Sequence, residues 1–140
     1  MTNYFLAKTE PSAFSIDDLE REGITKWDGV HSHQAINFIK NWKIGDKVFI
    51  YHSTGHSSIV GLGEVVSKPE KDTNDERNIS WFAKVKFVCK YPEGKYISLK
   101  QVKESGKFND FYLVKQSRLS VMECPDNFVS WLKYKGLSII

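Results

Sequence analysis

The stretch Trp27–Ser53, WDGVHSHQAINFIKNWKIGDKVFIYHS, decides the fold. It reads as a Trp-Asp-Gly turn, a short amphipathic helix, a tight connection and a strand. The helix runs from about Ser32 to Trp42, because Ala35, Phe38, Ile39 and Trp42 recur at the i, i+3, i+4, i+7 spacing of one buried stripe. Gln34, Asn37 and Asn41 lie on the other side. Gln34, near the helix start, can face a ligand beside free backbone N–H groups, although an ordinary solvated face has the same pattern. Lys43-Ile44-Gly45-Asp46 turns the chain into a strand over Lys47–His52. Val48, Ile50 and His52 share one face of that strand, and Phe49 and Tyr51 the other. A polar cluster, Tyr51 to His56, sits at its end.

Before this stretch, residues 3–8 (NYFLAK) read as a strand that Pro11 stops. Leu6 and Lys8 share a face, so Lys8 can line a pocket or reach solvent. Ser15 and Asp18 have capping-box spacing for a short helix that Gly23 ends. Beyond it, residues 59–67 (IVGLGEVVS) form another strand. Gly61 and Gly63 on one face suggest a bend or a close backbone approach, and Glu64 faces the opposite way, at an edge or paired. Residues 68–80 are charged and read as an exposed loop. Residues 81–90 (WFAKVKFVCK) alternate, with Trp81, Ala83, Val85, Phe87 and Cys89 inward and Lys84, Lys86 and Lys90 outward. Ser98 and Gln101 make a second capping box. Residues 111–122 read as one or two short strands, Arg118 to Val121 being the most regular. Pro125 starts a final helix whose buried stripe is Phe128, Trp131 and Leu132, ended by Gly136.

Strands this short and closely spaced, with helices between, make an α+β chain with a small, curved, barrel-like mixed sheet. One domain over 1–140 is expected, with no linker or internal repeat. Hydrophobic residues make up 41% of the chain, enough for a core, and the 14% that are aromatic leave one or two rings for a stacking surface. The net charge of +3 permits a polyanionic partner without demanding one. Cys89 and Cys124 have no metal-type spacing and read as free thiols of a reducing compartment. The segment MTNYFLAKTEP is neither a signal nor a transit peptide, and no apolar run reaches membrane-spanning length. A soluble cytoplasmic protein, or a nuclear one in a eukaryote, is expected. No cofactor is implied. His31, His33, His52 and His56 lack zinc-site spacing, so no metal site is expected.

Several segments then fall into one ordered set: AKTEPSAFSIDDL, WDGV, QA-N, GDKVFIYHS, IVGLGEV and RLSV. In this order and spacing the chain resembles the EVE domain, a branch of the PUA-like superfamily, over nearly its whole length. The resemblance implies a mixed β pseudo-barrel of about five or six strands with peripheral helices, as in PUA and YTH domains. It implies a reader of modified nucleotides, some members accepting a flipped modified cytosine of DNA. It puts Lys8, Glu10 and Pro11 at the end of the first strand, and Trp27, Asp28 and Gly29 on a pocket rim. Gln34 falls at the helix start, Tyr51, His52 and Ser53 on the central strand, and Arg118, Leu119 and Ser120 on the late strand. One run departs from the family: Arg-Asn-Tyr-Gln-Ala-Arg-Asn stands here as His31-Ser32-His33-Gln34-Ala35-Ile36-Asn37. Two arginines and a tyrosine are gone, so this run offers fewer phosphate contacts.

A pocket that reads one base must hold its faces with apolar plates and its edge with a few fixed donors and acceptors. Trp27, Tyr51 and Trp81 are candidate plates, Trp81 also fitting an inward strand face. His33, in the tyrosine position, can stack. Asp28, Gln34, His52, Ser53 and Ser120 are candidate edge readers, and Lys8 and Arg118 candidate phosphate contacts. The expected partner is modified DNA or RNA, bound without catalysis. Two rival classes stand beside it. One is a small amidohydrolase like those of related ASCH-type domains, with Lys8 as base and Glu64 as proton shuttle. The other is a protein-interaction module.

Overall fold

The computed structural model describes residues 2–139. Strand β1 (Tyr4–Thr9) runs parallel to β3 (Lys47–His52) on one side and antiparallel to β8 (Val121–Glu123) on the other. From β3 the sheet continues through β4 (Ser58–Val65) and β6 (Trp81–Lys90) to an edge strand, β2 (Ile24–Trp27), giving the order β2-β6-β4-β3-β1-β8. Two-residue strands β5 (Glu70–Lys71) and β7 (Ile97–Ser98) pair with β6 and β4. Among the described residues five α-helices accompany the sheet: α1 (Ile16–Glu22), α2 (His33–Lys40), α3 (Leu99–Glu104), α4 (Tyr112–Lys115) and α5 (Asp126–Tyr134). This is the α+β, PUA-like mixed sheet that the sequence implied, with six strands on its main path.

Strands β1 and β3 are apolar on both faces because both faces are covered. Phe5, Leu6 and Ala7 of β1 are buried, and so are Val48 to Tyr51 of β3. Hence Tyr51 is as buried as its neighbours on the opposite face. The sheet curls where β4 is bulged opposite Ile50/Tyr51 and where β6 is bulged opposite Leu62/Gly63. Close packing explains the glycines here. A Cβ on Gly61 would lie 2.8 Å from the Cys89 carbonyl oxygen and against the Ile16 side chain, and one on Gly63 would lie 2.6 Å from Val85 Cγ1. Both capping boxes form: Ser15 with Asp18 starts α1, and Ser98 with Gln101 starts α3. Glu64 is paired, with Lys47. Cys89 and Cys124 are both free.

Three segments differ from their sequence reading. Ile24–Trp27 is a strand, in register with β6 from Ile24↔Lys86 to Trp27↔Ala83. Four residues are too few to display a period, and the pairing is made by the backbone of β6. The turn begins at Asp28, where Gly29 takes a left-handed φ of 72°. Residues 68–80 are not simply an exposed loop. They contain β5, Asp72 and Ser80 are buried, and the Asp75 carboxylate accepts the backbone N–H groups of Ile79 and Ser80 at 3.0 and 2.9 Å. Residues 111–122 hold α4 and a turn, and the strand starts only at Val121. A helical turn suits Phe111 and Leu113, both buried, and seats Phe111 at 4.6 Å from Phe128 between ring centroids. The final helix presents Phe128, Trp131 and Leu132 to the core, as their spacing predicted.

Candidate nucleic-acid interface

The β-sheet and the β2–α2 connection together leave a cleft of about 620 Å³. Its base is Trp27, the last residue of β2, buried and held edge-on by Phe14 with ring centroids 6.2 Å apart and planes at 86°. Phe14 precedes the α1 N-cap, and Thr9 Oγ1 fixes it by donating to the Phe14 carbonyl at 2.8 Å. One wall is the turn Asp28–Ser32, which leads into α2. The other joins the end of β1 to the segment before β8, where Lys8 N–H donates to the Ser120 carbonyl at 2.8 Å. That bond extends the β1–β8 ladder and brings Lys8, Arg118 and Ser120 to one edge of the cleft.

Lys8 is half-buried. Its ammonium donates to the Ser117 carbonyl at 2.9 Å and stands 5.5 Å from the centre of the Tyr51 ring. Burial lowers its pKa from the ordinary lysine value, because desolvation disfavours the charged form. Burial likewise raises the pKa of the Tyr51 phenol, the neighbouring Ser57 side chain opposing it. Tyr51 therefore lies beneath Lys8, outside the lining of the cleft.

The residues singled out from sequence divide into groups. Lys8, Trp27, Asp28, Arg118 and Ser120 line the one cleft. His33 and Gln34 are exposed on the first turn of α2, directly after the lining residue Ser32. His52 is the last residue of β3 and Ser53 follows it. His52 borders a second cavity of about 610 Å³ together with His56, and its Nε2 accepts the Ile16 N–H at 3.1 Å. Ser53 Oγ donates to the Thr9 carbonyl at 3.4 Å. Trp81 is partly exposed at the start of β6, with the Lys40 ammonium 5.0 Å from its ring centre. The four histidines are thus dispersed, His31 on the first cleft, His33 exposed on α2, and His52 and His56 on the second cavity. Lys8 and Glu64 are not brought together either. Lys8 registers with Tyr51 and Glu64 with Lys47, four positions away along β3 and about 13 Å at strand rise.

Two cleft residues carried weak sequence signals. Phe14 stands at the position before an N-cap, where an apolar side chain commonly staples onto the helix. Lys26 alternates with Trp27 on a strand too short to read. Arg77, which reaches the cleft wall from the 72–80 segment, carried none.

The EVE domain profile matches residues 3–133. The chain belongs to the EVE domain family. A relative of this EVE chain is thymocyte nuclear protein 1 of Rattus norvegicus, 38% identical over 91 residues, which cover 56% of this chain and 40% of the rat protein. The match therefore spans less than half the length of that relative. A crystal structure of an Agrobacterium tumefaciens protein superposes with a TM-score of 0.86 at 34% identity, covering 97% of this chain and 94% of that one. The crystal structure of human THYN1 protein in complex with 5-methylcytosine-containing DNA superposes with a TM-score of 0.83 at 25% identity, covering 99% and 100%. Among the described residues no helix is long and apolar enough to cross a membrane.

Proposed function

We propose that this EVE domain binds nucleic acid and captures a modified base, a modified cytosine foremost, in the cleft over Trp27, without chemical conversion. The carrying observation is the cleft itself: an aromatic base, polar edges and cations from separate segments open into one space of about 620 Å³. That volume is in the range of small-ligand pockets. Support comes from a relative of the same fold, human THYN1 protein, in its complex with 5-methylcytosine-containing DNA.

In this reading the base leaves its stack and lays one face on Trp27, a contact worth roughly 1–3 kcal/mol. Asp28 and Ser120 address its edge. Phe14 and Val30 supply apolar surface on which an added methyl group gains and a bare ring does not. Lys8 and Arg118 position the flanking phosphates without reading sequence. His33 and Gln34, at the head of α2, meet the nucleotide next to the bound base. Tyr51 supports Lys8 from below.

The test is a fluorescence titration with short DNA and RNA oligonucleotides that differ only in one modified cytosine or adenine. Binding that depends on the modification and persists as salt rises supports base capture. Trp27→Leu, which keeps apolar bulk but removes the plate, should then abolish the preference. Binding that ignores the modification and vanishes with salt would leave only electrostatics and sink the reading.

A further inference from the structure

Arg77 lies 46 positions from His31 in sequence and meets it at the mouth of the cleft. Its Nη2 donates to the His31 ring Nδ1 at 2.8 Å and to the His31 carbonyl oxygen at 3.2 Å. A guanidinium can only donate, so His31 Nδ1 is the acceptor and the ring proton sits on Nε2. His31 itself lines the cleft. The pair is held from behind as well, since Ser80 Oγ donates to the Val30 carbonyl at 2.8 Å in a buried contact. Thus the 72–80 segment is docked onto the same turn that forms one cleft wall.

Arg77 is only loosely paired where it stands. The neighbouring acid is Asp75, and its Oδ1 is 3.8 Å from Arg77 Nε, too far for a hydrogen bond. The Asp75 carboxylate is already engaged by the backbone N–H groups of Ile79 and Ser80, with that of Arg77 at 3.4 Å. Those bonds hold its pKa below the ordinary carboxylate value. Both contacts to His31 use the single nitrogen Nη2, and about half of the Arg77 side chain, 48%, faces solvent. A guanidinium anchored on His31 by one nitrogen, loosely paired with Asp75 and half exposed, can offer its remaining N–H groups to phosphate oxygens.

We infer that Arg77, seated on His31, is the phosphate contact on the side of the cleft opposite Lys8 and Arg118, gripping the strand that flanks the captured base. The inference rests on the base-capture reading and adds to it a backbone path: the strand crosses the mouth between Arg77 and the Lys8–Arg118 edge. Arg77 also positions His31, whose Nε2–H becomes a donor of fixed direction at the cleft wall.

The test uses the full chain, an oligonucleotide with one 5-methylcytosine, and Arg77→Gln and Arg77→Lys variants. Gln keeps a donor for His31 but loses the charge, and Lys keeps the charge. Affinity is measured across a salt series, with thermal melting as the check on folding. Arg77→Gln should reduce the slope of log affinity against log salt by about 0.7–0.9 and weaken binding several-fold, while the preference for the modified base is kept. Arg77→Lys should restore the slope. A second measurement replaces the phosphates flanking the modified base by neutral methylphosphonates. The wild type should lose affinity when these linkages are neutralised, and at the one that Arg77 grips Arg77→Gln should lose none further. An unchanged slope in Arg77→Gln, or an equal loss at every linkage in both proteins, overturns the inference and leaves base capture standing. If the wild type binds no oligonucleotide in this series, base capture falls and the inference with it.

Discussion

The ring of His52 accepts the backbone N–H of Ile16 through Nε2 at 3.1 Å, tying the end of β3 to the first turn of α1. Desolvation holds the His52 pKa below the ordinary histidine value, with Asp17 opposing and Lys90 adding to the shift. A protonated ring cannot accept that bond. The sign follows from linkage: the unfolded chain takes up the proton first, so stability is full above about pH 6.5 and falls as pH drops through the folded-state pKa. Thermal melts between pH 8 and pH 5 should therefore lose more stability in the wild type than in His52→Gln, whose amide oxygen accepts at any pH. Equal losses in both proteins would exclude His52 as the source.

Trp27 is the proposed base plate and a core residue at once. It is only 7% exposed and packs on Phe14. Trp27→Ala should cost about 3–5 kcal/mol in chemical denaturation, as large aromatic truncations do. Trp27→Leu should cost less than Trp27→Ala and still lose the preference for a modified base. A Trp27→Leu protein that kept its preference would place the base elsewhere.

Gly61 is required for contact with its neighbours. An added Cβ would meet the Cys89 carbonyl oxygen at 2.8 Å, which is backbone and cannot swing away as a flexible side chain can. Gly61→Ala should destabilise by roughly 1–3 kcal/mol in urea, the usual range of core overpacking. Gly94 has open space around it, and Gly94→Ala should be close to neutral. Equal effects at the two sites would refute the packing argument.

Asp75 organises the segment that carries Arg77 to the cleft wall. Asp75→Ala removes the acceptor for the Ile79 and Ser80 amides. Hydrogen exchange at these two amides should accelerate, with little change in the amides of β1 and β3. If Arg77 grips a phosphate, the same variant should also weaken oligonucleotide binding at low salt. Retained protection at Ile79 and Ser80 would show that other contacts hold the segment.

The sequence by itself determined the regular elements and the class of fold. Helical stripes at Ala35/Ile39 and at Phe128/Leu132, two capping boxes, the alternation of β6 and the Gly61/Gly63 pair are local patterns, and local sterics and solvation fix them wherever the chain goes. Of the eleven site residues singled out from sequence, five, Lys8, Trp27, Asp28, Arg118 and Ser120, line one cleft. Tertiary structure alone decided the rest. Ile24–Trp27 became a strand because β6 offered it a backbone edge, and Tyr51 went under Lys8 because both faces of β3 are covered. His52 turned toward α1 instead of the cleft over Trp27. Arg77 found His31 across 46 residues through a docked segment whose own sequence reads only as charged and polar. Which loops meet depends on the curl of the sheet and on pairings between distant backbones, and no period along the chain encodes either.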